Sequence, residues 1–177
     1  PYGIILSAIF LNFMGLIALK SISYNQDLTF LNNPFYKQSI FMVPSILICL
    51  LVVIFPRYTI HKYSYPLYLF GIILVIFPFF GSPHAGTYRW LNIGLPFSIQ
   101  PSEFAKVFTI LALARYLSDH TLRMKRFSAI IVPVILVMVP TLIVLNQPDL
   151  GTSIVMMSPV LPMLYWSGAR PFYLFLI

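Results

Sequence analysis

The sequence predicts an all-α fold, a polytopic bundle of membrane-crossing helices with no sizeable water-soluble part. Three observations carry that prediction. Hydrophobic residues make up 59% of the 177 positions and charged residues only 8%, where soluble domains carry about a quarter charged residues. The apolar residues come in continuous runs of spanning length and do not alternate, which argues for helices and against transmembrane strands. The mean hydropathy is +0.90, and the charges fall between the runs or at their ends.

The first span is Gly3–Leu19, with Asn12 as its one strongly polar member; it sits at the short end of the ~17–25 residues a span needs. Lys20–Gln38 is a loop that ends on the turn-forming Asn32-Asn33-Pro34 and the Phe35-Tyr36 pair. Ser39–Phe55 is the second span, Arg57–Lys62 a basic link, and Tyr65–Gly81 the third span. A polar loop, Ser82–Pro101, leads into the fourth span, Ser102–Leu117. The basic link Ser118–Arg126 precedes the fifth span, Phe127–Leu145. A second polar stretch, Asn146–Thr152, opens the sixth span, Gly151–Trp166, and Phe172–Ile177 begins a seventh. Prolines 44, 78, 133, 140, 159 and 162 lie inside these runs; in a membrane, neighbouring helices can satisfy the groups they free, so kinked helices are expected. All 177 residues are read as one membrane domain, and both ends read as cut. No signal peptide is predicted, because residues 1–20 lack a basic start and a small-residue cleavage site.

The formal charge of +7 would suggest nucleic acid in a soluble protein; in this chain the positive-inside rule accounts for it and no nucleic acid is expected. Of the 11 basic residues, Arg57, Lys62, Arg115, Arg123, Lys125, Arg126 and Arg170 fall on one side, and Lys20, Lys37, Arg89 and Lys106 on the other. The first side is therefore predicted cytoplasmic, with the N-terminus inside and both polar stretches outside. Asp27, Glu103 and Asp149 then lie on the outer face. The Arg123–Arg126 run is expected to meet anionic lipid headgroups, and Tyr88, Trp90, Tyr165 and Trp166 suit interfacial anchors. Cys49, in an apolar run, is expected to be a small buried hydrophobe. His61, His84 and His120 lack metal-ligand spacing. No phosphate-loop, dinucleotide or serine-hydrolase motif is present.

Chemistry concentrates in the two polar stretches. Gln100-Pro101-Ser102-Glu103 is a helix-start pattern, in which Ser102 can cap and Glu103 meets the positive end of the helix dipole. Glu103 and Lys106 stand one turn apart, and pairing at a helix end is the simplest reading of them. Lys106, however, lies a turn deeper in the membrane, where a cation needs a partner or a wet cavity. Arg89 and Trp90 sit just upstream, beside Gly86 and Gly94, which permit a tightly folded loop. A cluster of Arg89, Glu103 and Lys106 would suit an anionic, lipid-linked head group. In the second stretch, Asp149 follows Pro148 and opens the sixth span, so N-capping is again the simplest role. A carboxylate there could also act as a general base for a sugar hydroxyl or as a metal ligand.

Arg89–Lys106, RWLNIGLPFSIQPSEFAK, and Gln147–Ser153, QPDLGTS, are separated by the fourth and fifth spans. In that order and on one predicted face, they resemble the SEDS family of polytopic cell-wall proteins, which includes RodA, FtsW and SpoVE. Lys37-Gln38 ahead of the second span fits the same pattern. The resemblance covers essentially the whole chain, and QPDLGTS is more similar to RodA than to FtsW. It implies a peptidoglycan glycosyltransferase of the elongation type in the bacterial cytoplasmic membrane, which polymerises the disaccharide of lipid II at the outer face and releases undecaprenyl pyrophosphate. The implied partner is a class B penicillin-binding protein. No cofactor is evident, and a divalent cation, magnesium or manganese, is compatible with the carboxylates.

Matched residue by residue, the family's functionally sensitive arginine, glutamate and lysine fall on Arg89, Glu103 and Lys106, and its QPD aspartate on Asp149. Trp90, Gln100, Ser102 and Gln147 complete the candidate groove. The aspartate to which the family's catalysis is assigned belongs to an outer loop after the seventh helix, beyond Ile177, and Asp149 is not that residue. The 177 residues alone are therefore expected to lack polymerase activity. Two other functions make different demands on the sequence. A lipid II flippase would place ionisable groups near the bilayer midplane, whereas these spans are apolar at their centres apart from Asn12. A scaffold that recruits a penicillin-binding protein would tolerate neutralisation of Arg89, Glu103 and Lys106.

Overall fold

A computed structural model describes residues 2–23, 33–81, 87–92, 98–118 and 127–175. Asp27, His84, Gly86, Gly94, His120 and the Arg123–Arg126 run lie outside the described residues. The chain divides into two compact units, Pro1–Pro56 and Arg57–Ile177.

The first unit holds α1 (Tyr2–Ser23) and α2 (Pro34–Ile54). The first span is longer than its apolar run, because Lys20–Ser23 continues the helix: hydropathy marks where hydrocarbon ends, not where a helix does. The second span also starts earlier than expected. Asn33 accepts a hydrogen bond from the Phe35 amide at 3.0 Å, and Pro34 occupies the first turn, a start set by capping and not by hydropathy. Polar side chains in these helices bond back to the preceding turn, Asn12 to the Ala8 carbonyl and Ser45 to that of Phe41. Cys49 corrects its expectation. It is exposed on α2, none of whose residues is buried. An apolar run inside a bilayer meets lipid as readily as protein, so apolarity alone does not imply a core position.

The second unit holds α3 (Arg57–Ile76), which runs into a 3-10 turn at Phe77–Phe80. After it come strands β1 (Leu91–Asn92) and β2 (Ser98–Ile99), α4 (Pro101–Leu117), α5 (Ser128–Leu145), α6 (Leu150–Met157), α7 (Val160–Trp166) and α8 (Pro171–Leu174). The expected basic link Arg57–Lys62 is instead the opening of α3, since nothing after Pro56 breaks the helix. The expected continuous sixth span is broken into α6 and α7 at Ser158-Pro159. The loop expected over Ser82–Pro101 contains a two-stranded antiparallel ribbon, with Leu91 opposite Ile99 and Asn92 opposite Ser98. It is far too short to cross a membrane.

Four described helices are long and apolar enough to cross a membrane: Ile5–Ser23, Pro34–Ile54, Arg57–Phe80 and Ser128–Leu145. Helix α4, with 17 residues, reaches about 26 Å, and α6 with α7 forms a shorter apolar pair over Leu150–Trp166.

Helices α3 and α4 pack closely because Gly71 has no side chain: a Cβ there would lie 3.1 Å from Phe108 Cδ2 and 3.4 Å from Ala105 Cα. Leu113, Ile130, Val137, Val160, Leu164 and Ala169 form the larger core cluster. Val75, Ala105, Val144 and Met156 form a smaller one that joins α3, α4, α5 and α6 close to the polar helix starts.

Each proline inside these helices removes one amide donor and leaves a carbonyl four residues back without its helical partner. At three of the prolines a nearby side chain supplies the missing donor. Pro140 frees the Leu136 carbonyl, which accepts from Tyr68 Oη at 2.8 Å. Pro66 frees that of Lys62, which accepts from Arg115 Nη1 at 2.7 Å. The same guanidinium also donates to the His61 carbonyl at 2.6 Å and lies 4.5 Å from the Tyr65 ring centroid. Pro159 frees that of Val155, which accepts from Ser158 Oγ at 2.9 Å.

Tyr68→Phe should therefore cost about 1 kcal/mol of stability. In a Pro140→Ala background the restored amide serves Leu136, and the same change should cost close to nothing. Unfolding in detergent micelles measures both, and equal losses in the two backgrounds would refute the pairing.

Candidate functional site

The site is built where the ribbon strand β2 hands over to α4 and where the turn after α5 hands over to α6. The N-terminal end of α4 is Gln100, in extended conformation, followed by Pro101 in the first turn. Pro101 has no amide to leave unpaired, and Glu103 sits in the first turn, where the helix dipole favours a carboxylate. The expected capping by Ser102 is corrected. Gln100 holds the cap position with no side-chain bond to the helix, and Ser102 lies inside the first turn, 1% exposed. Its Oγ is buried without a hydrogen-bond partner, because the chain enters the helix two residues earlier than a serine cap would require.

Asp149 is the hub. It caps α6, as expected, with Oδ1 accepting from the Thr152 amide at 3.2 Å. Its Oδ2 accepts from Thr152 Oγ1 and from Gln100 Nε2, both at 2.9 Å. Arg89 Nη1 stands 3.6 Å from Oδ1, with side-chain exposures of 33% for the arginine and 8% for the aspartate. Arg89 is itself steadied by its Nε, which donates to Thr87 Oγ1 at 3.1 Å. Below the cap, Ser153 Oγ donates to the Asp149 carbonyl at 2.8 Å. A nearly buried carboxylate is thus matched by a cation, a helix N-terminus and neutral donors, the condition under which such a charge is tolerated.

Lys106 and Glu103 form a separate pair. Lys106 Nζ lies 2.9 Å from each carboxylate oxygen. Glu103 is the more exposed partner, at 56% against 21% for the lysine side chain. The single cluster of Arg89, Glu103 and Lys106 expected from the sequence is corrected: the described residues hold two pairs, Arg89 with Asp149 and Lys106 with Glu103. Spacing along a helix fixes the second pair, whereas the first depends on the ribbon folding Arg89 back toward α6. The two pairs are joined through Gln100, which bonds Asp149 and begins the helix that carries Glu103 and Lys106.

Trp90 is exposed. Gln147 is 2% exposed, and its Nε2 donates to the Val75 carbonyl at 2.7 Å. Between Gln147 and Asp149 the backbone turns through Pro148. Thr87, Thr152 and Ser153 were not singled out from the sequence. Thr152 carried a usable signal, since an aspartate cap addresses the residue three positions on. Among the described residues no three His, Cys, Asp or Glu side chains converge as metal ligands.

The arrangement is a helical membrane protein with two cations presented by carboxylates at adjoining helix starts. Residues 3–177 match the model of the FtsW/RodA/SpoVE family, described as cell cycle protein, and the chain belongs to that family. Over 175 residues it is 33% identical to a probable peptidoglycan glycosyltransferase FtsW of Allochromatium vinosum, covering 95% of this chain and 44% of that one. Over 102 residues it is 39% identical to stage V sporulation protein E of Bacillus subtilis, covering 57% and 30%. The fold matches the rod shape determining protein RodA of Thermus thermophilus with a TM-score of 0.82 at 24% identity, over 99% of this chain and 56% of that one. It also matches a chain of a peptidoglycan synthase complex, studied for the coordination of polymerization and crosslinking, with a TM-score of 0.81 at 25% identity, over 95% and 48%. The chain spans less than half the length of the relatives it matches by sequence. The family membership and multi-pass membrane fold expected from the sequence are borne out.

Asp149→Ala should destabilise the protein by roughly 2–4 kcal/mol, because it removes a cap and strands Arg89 and Gln100. Asp149→Asn keeps an acceptor for the Thr152 amide and should cost less. Thermal unfolding in micelles ranks the two, and the opposite order would refute the hub.

Proposed function

We propose that the protein carrying this chain is a peptidoglycan glycosyltransferase that polymerises lipid II at the outer face of the cytoplasmic membrane. The observation that carries the reading is the pair of cations, Arg89 and Lys106, each held by its own carboxylate at adjoining helix starts. Its context is a chain similar to proteins named as such enzymes. In the reaction a sugar hydroxyl attacks the anomeric carbon of the donor, the bond to pyrophosphate breaks, and negative charge gathers on the departing phosphate. Fixed cations stabilise charge that develops at that moment. Arg89 offers a planar fork suited to phosphate oxygens, and Lys106 a compact point charge. Glu103 holds Lys106 in place until the phosphate competes for it.

The oxygens of Asp149 already accept from Thr152 and Gln100 and face Arg89. We assign the proton-accepting role to neither carboxylate of the site. Nor do we assign them a metal: both face cationic donors, and a magnesium or manganese ion would travel with the pyrophosphate. We read the polar stretches as outward-facing with the N-terminus inside, on the charge asymmetry of the loops. We read the partner as a class B penicillin-binding protein and the role as elongation, on the QPDLGTS element. Rescue of a rod-shape-deficient strain and not of a division-deficient one would bear the last point out.

The test uses the full-length protein and purified lipid II. Lys106→Ala and Glu103→Ala should each lower glycan-strand synthesis at least about a hundredfold. Both should cost less than ~1 kcal/mol of stability, as expected for a partly exposed pair. Wild-type rates in both variants would overturn these roles, and lipid II translocation without polymer would overturn the reaction.

A further inference from the structure

We infer that Gln147 is a positioning residue: its side-chain amide ties the turn that presents Asp149 to the segment that leads to Arg89, and so sets the geometry of that pair. The inference rests on the glycosyltransferase reading for its link to activity, while its structural half stands independently. Gln147 lies in a stretch whose polar residues invite assignment to substrate. Its geometry points elsewhere. The side chain is 2% exposed, and its Nε2 is spent on the Val75 carbonyl at 2.7 Å. Val75 itself is fully buried, in the cluster with Ala105, Val144 and Met156.

The partner carbonyl is not incidental. Val75 lies one residue before the end of α3, where the chain tightens into the 3-10 turn Phe77–Phe80. In a 3-10 turn the donor comes from three residues on; for Val75 that residue is Pro78, which has no amide, and the carbonyl takes its donor from Gln147. Tyr88 stacks on Phe79 at 6.0 Å between ring centroids, which ties the segment Thr87–Asn92 to the 3-10 turn. On the other side, Asp149 follows Gln147 by two residues, across Pro148. One hydrogen bond therefore spans the two segments whose ends carry Arg89 and Asp149. Misplacement of a positioned group by about 1 Å can cost a hundredfold in rate.

The experiment separates positioning from mere satisfaction of a carbonyl. In the full-length protein on a cysteine-free background that includes Cys49→Ser, spin labels at Phe80→Cys and Leu150→Cys, both exposed positions, report the spacing of the two segments by pulsed electron resonance. Gln147→Met keeps the length of the side chain and removes its N–H. It should broaden the distance distribution, and it should lower lipid II polymerisation about tenfold to a hundredfold in the unlabelled protein. Gln147→Asn, one methylene too short, serves in its place if the methionine variant does not fold. Adding Pro78→Ala returns an amide to the 3-10 turn; it should restore thermal stability while leaving the distribution broad and the rate low. An unchanged distribution in Gln147→Met would overturn the inference, as would recovery of spacing and rate by Pro78→Ala. If the parent protein forms no glycan, the enzyme reading fails, and the distance measurement still decides the role of Gln147.

Discussion

In hydrocarbon a backbone carbonyl that loses its helical amide has no water to turn to, and the second unit of this protein is organised around that constraint. Its helices carry prolines at several interior positions, and a freed carbonyl must find a donor or cost several kcal/mol. Tyr68 serves Leu136 across the α3–α5 contact, and Arg115 serves Lys62 across the α3–α4 contact. Gln147 serves Val75 between the α5–α6 turn and α3. These bonds are directional, whereas packing between apolar helices in lipid is not, so they fix how the helices meet. Ser158 answers the same need within its own helix pair, where Pro159 breaks the apolar run.

The candidate site extends the same logic from backbone to charge. Asp149 is nearly buried and stands at a helix start, so its negative charge needs the Thr152 amide, the α6 dipole, Gln100 and Arg89 together. Lys106 and Glu103, at a more exposed edge, satisfy one another within a single turn. The outcome is two cations in fixed positions with their counter-charges beside them. Gln100 belongs to both halves, as a ligand of Asp149 and as the residue from which α4 departs. The polar stretches that looked separate in the chain thus form one structure.

Much of this was legible in the residues. The helical membrane class followed from continuous apolar runs, the Glu103–Lys106 pair from helical spacing, and the Asp149 cap from an aspartate placed ahead of an apolar run. Other features were not. Ser102 looked like a cap because its residue type favours that position, yet Pro101 starts the helix two residues sooner than such a cap allows and leaves the hydroxyl buried. Cys49 looked buried because apolarity in a membrane chain does not separate lipid from protein. The Arg57–Lys62 link looked like a loop because charge ends a hydropathic run without ending a helix.

By itself the sequence determined what acts over a few residues: which runs suit hydrocarbon, where helices can start, and which charges one turn brings together. Only the tertiary structure decided that Arg89 joins Asp149 and not Glu103, because that choice depends on a ribbon that returns the chain across a gap in sequence. It likewise decided that Tyr68 answers Pro140 and Arg115 answers Pro66. Those freed carbonyls announce themselves in the sequence, but their donors lie on another helix, and the closeness of the two is a property of packing.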